Sequence, residues 1–270
     1  NTSCSDFEEI NKNPYYPDKD MEKMDGVLNS AYLPNLEKHA IPAPLKTDNT
    51  DLTNAYQIGV NLAGDSWAGY LSPRDNKFNE AASFITFFFQ TGWVNLVYEY
   101  GITNIFAPWI QLKNINMSGD NPNKEIFALA QITKIMGLHR STDTFGPIPY
   151  KNVGNGSFTV EYDSQEEVYK SFLAELDEAL GKVSGSETVA TNFLFPSATV
   201  GKWIKFANAL KLRILMRMSD VENVQSQLAS LIAENNFPTE DVCFANCWAN
   251  ESGKANPFFW EALSATSGTQ

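Results

Sequence analysis

The chain has 270 residues, 43% of them hydrophobic, and a formal net charge of -12 from 32 acidic against 20 basic residues. That much apolar material builds one large core or two modest ones and excludes an intrinsically disordered segment. The charge excludes nucleic acid as a partner, because an acidic surface repels phosphate backbones and anionic headgroups over about a Debye length.

The chain opens without the charged and apolar regions of a secretory signal, which leaves a cytosolic protein or one whose signal has been removed. Cys4 follows the small residue Ser3 and leads into a polar, turn-rich tether through Asn11, Asn13, Pro14 and Pro17. A small residue before cysteine is how a lipoprotein cleavage site ends; the alternative is a free cysteine. Next, Met21, Met24, Val27, Leu28, Ala31 and Tyr32 fall at helical spacing, with Asp18 or Asp20 able to cap and Pro34 marking the expected end. Residues 41–79 are rich in Pro, Asn, Asp and Gly and read as a long ordered loop region, the kind that carries function.

From residue 80 to about 113 an aromatic-heavy stretch predicts two helices with a break near Gly101 or Pro108, in which Phe84, Phe88, Trp93 and Val97 line one face. Its densest apolar run, Phe84 to Phe89, falls far short of the roughly 20 residues of a membrane span. Residues 123–140 repeat the helical period through Ile126, Leu129, Ala130, Ile132, Ile135 and Met136. The pattern stops at Asp143-Thr-Phe-Gly-Pro-Ile-Pro-Tyr150, where two prolines and a glycine forbid continuation. A helix over 164–180 opens with Ser164 and Glu167 in capping-box register and carries Val168, Phe172, Leu176 and Leu180 on one face. Further helices are expected over about 198–219, with Trp203, Phe206, Ala207, Leu210 and Ile214 on one side, and over about 221–235. No strand pair stands out by two-residue alternation, so the fold class is all-α, mainly helical, with long loops. Trp203-x-x-Phe206-Ala207-x-x-Leu210 imitates half of a tetratricopeptide repeat, though no clean period of about 34 residues follows.

Sites for chemistry are sparse. Gly64-Asp65-Ser66 approaches two serine-hydrolase patterns, but an elbow needs a strand before it and a histidine base, and His39 and His139 are the only histidines. The pairs Asp48 with Asp51 and Glu161 with Asp163 would suit a glycosidase, yet an acidic surface supplies such pairs by chance. Glycine-rich nucleotide loops are missing, so no cofactor is expected. Asp120-Asn-Pro-Asn123 lacks the ligand pattern of a calcium loop and reads as a turn, and no metal site is expected. Asn116, Asn155 and Asn250 open glycosylation triplets, which matter only in a eukaryotic secreted protein. Cys243 and Cys247 either pair in an oxidising compartment or stay as buried thiols. The loop around Asp65, Trp67, Tyr70, Arg74 and Asn76 suits a sugar, since pyranose faces stack on aromatic rings while charged and amide groups bond ring hydroxyls. Its plainer reading is that Trp67 and Tyr70 pin the loop to the helices beneath.

Five segments in order resemble the SusD/RagB-like family. They are Cys4 with Phe7-Glu-Glu-Ile-Asn-Lys-Asn-Pro14; Asn61-Leu-Ala-Gly-Asp65 with Ala68-Gly-Tyr70; Asp143 to Tyr150; Tyr162-Asp-Ser-Gln-Glu-Glu-Val-Tyr169; and Lys202-Trp-Ile-Lys-Phe-Ala-Asn-Ala-Leu-Lys-Leu-Arg213. The resemblance implies tetratricopeptide-like helix pairs in an α/α superhelix. It divides the chain into a lipoprotein tether, 1–18, and a helical domain, 19–270, that is incomplete at its C-terminus, because members are usually almost twice as long. It further implies a cell-surface lipoprotein of the bacterial outer membrane, attached through lipid on Cys4 alone. Such a protein captures glycans and hands them to a SusC-like TonB-dependent transporter without catalysis. An oligopeptide-binding member of the same family, or a glycan hydrolase, is the alternative.

Overall fold

A computed structural model describes residues 27–41, 57–70, 91–118, 122–184, 194–195 and 200–243. In chain order these form α1 (Val27–Ala40), the π-helix π1 (Gln57–Asp65), α2 (Thr91–Tyr98), a second π-helix π2 (Glu99–Thr103), α3 (Asn104–Ser118) and α4 (Lys124–Phe145). The strands β1 (Ile148–Pro149) and β2 (Tyr162–Asp163) follow, then α5 (Gln165–Lys182), α6 (Val200–Met218) and α7 (Gln225–Glu234). The all-α expectation holds. Among the described residues the only strands are the two-residue antiparallel pair Ile148 with Asp163 and Pro149 with Tyr162, too short to leave an alternating pattern in sequence.

The helix α4 is the axle. Asn123 caps it by accepting the Ile126 N–H at 2.9 Å, and it ends where Gly146, at φ 74, takes a backbone conformation that side chains disfavour. Between these ends nearly every residue from Phe127 to Thr142 is buried, polar ones included, because α1, α3, α5 and α6 all pack on it. Each later helix packs on its predecessor, α5 on α4, α6 on α5 and α7 on α6, as stacked helical hairpins do. The helices α1, α3 and α4 come together at Gly137, where a Cβ would lie 2.6 Å from the Ile105 side chain and 2.9 Å from the Ala40 Cα.

One proline expected to end a helix does not. The first helix runs through Pro34 to Ala40, and residues 21–26, where its start was expected, lie outside the described residues. Leu33, Leu36 and Ala40 are buried against α3 and α4, and that burial outweighs the hydrogen bond lost at Pro34. Of the two expected break points, Pro108 sits inside α3 and the irregularity between α2 and α3 falls at the other, Gly101 in π2, whose carbonyl accepts the Ser141 hydroxyl from α4. The expected face of Phe84 and Phe88 lies outside the described residues.

The capping box of α5 forms as expected, with the Glu167 N–H donated to Ser164 Oγ at 3.3 Å and the Ser164 N–H donated to Glu167 Oε2 at 3.2 Å. In α6, Trp203, Ala207, Leu210 and Ile214 are buried, while Phe206 is half-buried and meets the rings of Trp203 and Phe195. The last helix ends at Asn235 in the left-handed region, φ 50.

Candidate functional site

The stretch expected to be loop from 41 to 79 contains π1, and the sugar-site candidates fall at its exit. Backbone bonds from Ala68 N–H to Gly64 C=O (2.9 Å) and from Tyr70 N–H to Asp65 C=O (2.8 Å) wind residues 64–70 into one tight turn. Asp65 is half-buried in it, Trp67 is 36% exposed and Tyr70 is 81% exposed. The structure therefore brings Asp65, Trp67 and Tyr70 together on one local, backbone-tied turn. Arg74 and Asn76 lie outside the described residues. The base of π1 is held by α2, since Gly59 faces Val97 with room for no more than an ordinary contact.

The same turn bears on hydrolysis at Ser66. A helical segment precedes Gly64 where a nucleophile elbow needs a strand. His39 Nδ1 bonds Asn35 C=O at 2.8 Å, and His139 is buried in α4 with Nδ1 donating to Ile135 C=O at 3.2 Å. Burial, with the cations Arg140, Arg213 and Arg217 nearby, holds the His139 imidazole down to about 4 and hence neutral. The carboxylate Asp163 is spent on structure, accepting the N–H groups of Tyr150 and Lys151 at 3.2 and 2.8 Å; Asp48 and Asp51 lie outside the described residues.

A second cluster had no counterpart in the sequence reading. Lys134, in mid-α4, is buried with its ammonium 2.8 Å from Glu175 Oε2, 4.2 Å from the centre of the Trp109 ring and 4.6 Å from that of Tyr150. The Tyr150 hydroxyl donates to the same Glu175 oxygen at 2.6 Å, and Trp109 Nε1–H donates to Gln131 Oε1. This explains the Gly-Pro-Ile-Pro-Tyr block: it turns the chain back after α4 and buries Tyr150 against Phe106 and Phe172. Burial lowers the Lys134 ammonium, with Glu175 opposing, and raises the Tyr150 hydroxyl well above its ordinary range. The cluster is a brace between α3, α4 and α5. In sequence Lys134 is one of several polar residues along α4, and nothing local marks it out.

A cleft of about 310 Å³ opens where the start of α6 meets residues 238–243, with Phe195, Lys202, Lys205, Asp241 and Cys243 among its walls. Cys243 is exposed rather than a buried thiol, and its pairing with Cys247 lies outside the described residues. Asn116 is buried and exchanges amide hydrogen bonds of 2.8 and 3.2 Å with Asn29, so its triplet is no glycan acceptor. Asn123 of the Asp120-Asn-Pro-Asn123 stretch serves as the α4 cap. Among the described residues, no three His, Cys, Asp or Glu side chains come together in a way that would hold a metal, and no helix is long and apolar enough to cross a membrane.

The described residues thus form stacked helix pairs with a backbone-tied turn carrying two exposed aromatic rings. The model of the SusD-like family, described as Susd and RagB outer membrane lipoprotein, matches residues 9–240, and the chain belongs to that family. A SusD homologue from Bacteroides uniformis is 26% identical with a TM-score of 0.73, covering 90% of this chain and 50% of its own. A chitin-binding SusD homologue from Flavobacterium johnsoniae is 27% identical with a TM-score of 0.66, covering 78% of this chain and 43% of its own. A third homologue, from Bacteroides vulgatus, is 25% identical with a TM-score of 0.69, covering 82% and 46%. The chain thus spans about half the length of the solved structures it matches. No curated protein matches it.

Proposed function

We propose that this protein is a non-catalytic, cell-surface lipoprotein that captures glycans and passes them to a SusC-like TonB-dependent transporter in the outer membrane. The observation that carries the reading is the turn at the end of π1, where Trp67 and Tyr70 stand exposed beside Asp65 on tied backbone. Aromatic rings offered to water at fixed positions stack on the apolar faces of pyranoses, and an adjacent carboxylate accepts their hydroxyl protons. Held rigidly, they lose little freedom on binding. Family membership supports the cell-surface role, and the chitin-binding title of one relative supports a sugar ligand. Arg74 and Asn76 belong to the same proposed contact set.

Residues 1–18 serve as the tether and 19–270 as the helical domain, and lipid on Cys4 supplies the only membrane attachment. The preceding helix at Ser66 and the structural duty of Asp163 support a site without chemistry.

Isothermal titration of the full chain against neutral oligosaccharides and oligopeptides tests the reading. Binding of at least one oligosaccharide, weakened about tenfold or more by Trp67→Ala with Tyr70→Ala, is expected. Silence toward every sugar, or new reducing ends appearing on incubation, overturns it.

A further inference from the structure

The loop between β1 and β2 is tied at its base and along its length. Asp163 holds the N–H groups of Tyr150 and Lys151, Val153 N–H donates to Tyr150 C=O at 3.3 Å, and the Ser157 hydroxyl donates to Thr159 C=O at 2.7 Å. Gly154 lies so close to α3 that a Cβ there would sit 3.0 Å from Ile110. A loop held this firmly has apolar surface within reach, yet Phe158 is fully exposed and Tyr162, where the chain enters β2, is 60% exposed.

The surroundings of these two rings say what kind of ligand fits. Residues 152–160, around Phe158, contain Asn152, Asn155, Ser157 and Thr159 and no charged side chain, in a chain of net charge -12, while Tyr162 is flanked by the carboxylates Glu161 and Asp163. A neutral ligand rich in hydroxyls meets hydrogen-bonding groups there and no repulsion. A protein interface would instead surround its aromatic anchors with contiguous apolar area and few serines. Tyr162 is steadied by a 2.8 Å bond between its hydroxyl and that of Tyr98, whose ring meets Phe145 edge-on at 5.3 Å. One hydroxyl donates within the pair, so the other keeps its proton for solvent or ligand. Three residues lie between Phe158 and Tyr162, so their Cα atoms are at most about 14 Å apart, a span of a few sugar units along a glycan.

We propose that Phe158 and Tyr162 form an additional aromatic platform, beyond the Asp65–Trp67–Tyr70 turn, on which further pyranose rings of a long neutral glycan stack. The Asn152 and Asn155 amides bond hydroxyls of the same sugars. The proposal rests on the glycan-capture reading and extends it: the protein selects chains by length as well as by sugar.

The test titrates the full chain with chito-, malto- and xylo-oligosaccharides from disaccharide to hexasaccharide, comparing the natural protein with Phe158→Ala and with Phe158→Ala plus Tyr162→Ala. The expected result is a roughly tenfold loss of affinity for the hexasaccharide that binds, with affinity for its disaccharide unchanged. Because Phe158 touches solvent on every side, the single variant keeps the natural melting temperature, and a loss seen with it alone is not a folding effect. Hexasaccharide affinity equal to the natural protein's, while Trp67→Ala still weakens binding, overturns this platform and leaves glycan capture standing. No binding by any series overturns both. Copurification of a membrane barrel that is lost with the variants, while sugar affinity is intact, makes the loop a protein contact and overturns the platform alone.

Discussion

Replacing Glu175 with Gln removes the negative charge that faces Lys134 and changes almost nothing else in shape. At 2.8 Å the pair attracts by about 6 kcal/mol in an effective dielectric of about 20, a gross figure that desolvation of both ions largely offsets. The natural pair is therefore worth little in net terms. Losing one partner is different, because Lys134 stays buried with only the Trp109 and Tyr150 ring faces and a neutral amide for company. Those faces retain about 2 kcal/mol of cation–π attraction. Glu175 is 24% exposed, so solvent screens part of its effect, and a loss of about 3 kcal/mol is expected. Urea denaturation at pH 7 should show a lower midpoint with an unchanged slope.

The pH dependence identifies the cause. Burial already lowers Lys134 below its ordinary 10.5, and loss of Glu175 lowers it further. The unfolded chain then binds a proton that the folded chain sheds, so stability rises with pH and the deficit of the variant shrinks as pH climbs toward the ordinary lysine range. Adding Lys134→Met, which keeps the volume and removes the charge, should recover all but about 1 kcal/mol. A Glu175→Gln protein as stable as the natural one at pH 7, or a deficit indifferent to pH, refutes the account.

Gly137→Ala should cost about 1–2 kcal/mol by thermal or urea unfolding, since overpacking against the Ala40 backbone and Ile105 outweighs the gain in helix propensity. His139, held neutral near 4 against an ordinary 6.5, is charged only by the unfolded chain as pH falls. Stability should therefore drop by about 2 kcal/mol between pH 7.5 and 5, and His139→Phe should flatten that slope. Ser164→Ala should cost about 1 kcal/mol by removing the α5 cap, and Ser164→Asp should restore most of it, again by denaturation.

Sequence alone was enough wherever the cause is local. Ser164 and Glu167 satisfy each other's backbone within one turn, Gly146 with the prolines after it stops α4, and the period of apolar residues marks α4, α5 and α6. Two of the family blocks were legible for the same reason, Asp143 to Tyr150 holding the stop of α4 and Tyr162 to Tyr169 the cap of α5. Pro34 was misread because the energy that keeps its helix going comes from α3 and α4, far away in the chain. Of the sugar-site candidates, Asp65, Trp67 and Tyr70 could be named from composition, but their gathering on one turn depends on π1 winding through a stretch that reads as loop.

What only the tertiary structure decided is where polar groups go when every side of a helix is covered. Lys134 on its own signals a solvated face; burial becomes tolerable only because Glu175, Trp109 and Tyr150 arrive from three other segments to replace water. Exposure is decided in the same way, since the loop that carries Phe158 is tied down with its ring left in solvent. Local hydrogen bonding and periodicity act within a few residues and are readable there, whereas burial is a property of distant segments meeting.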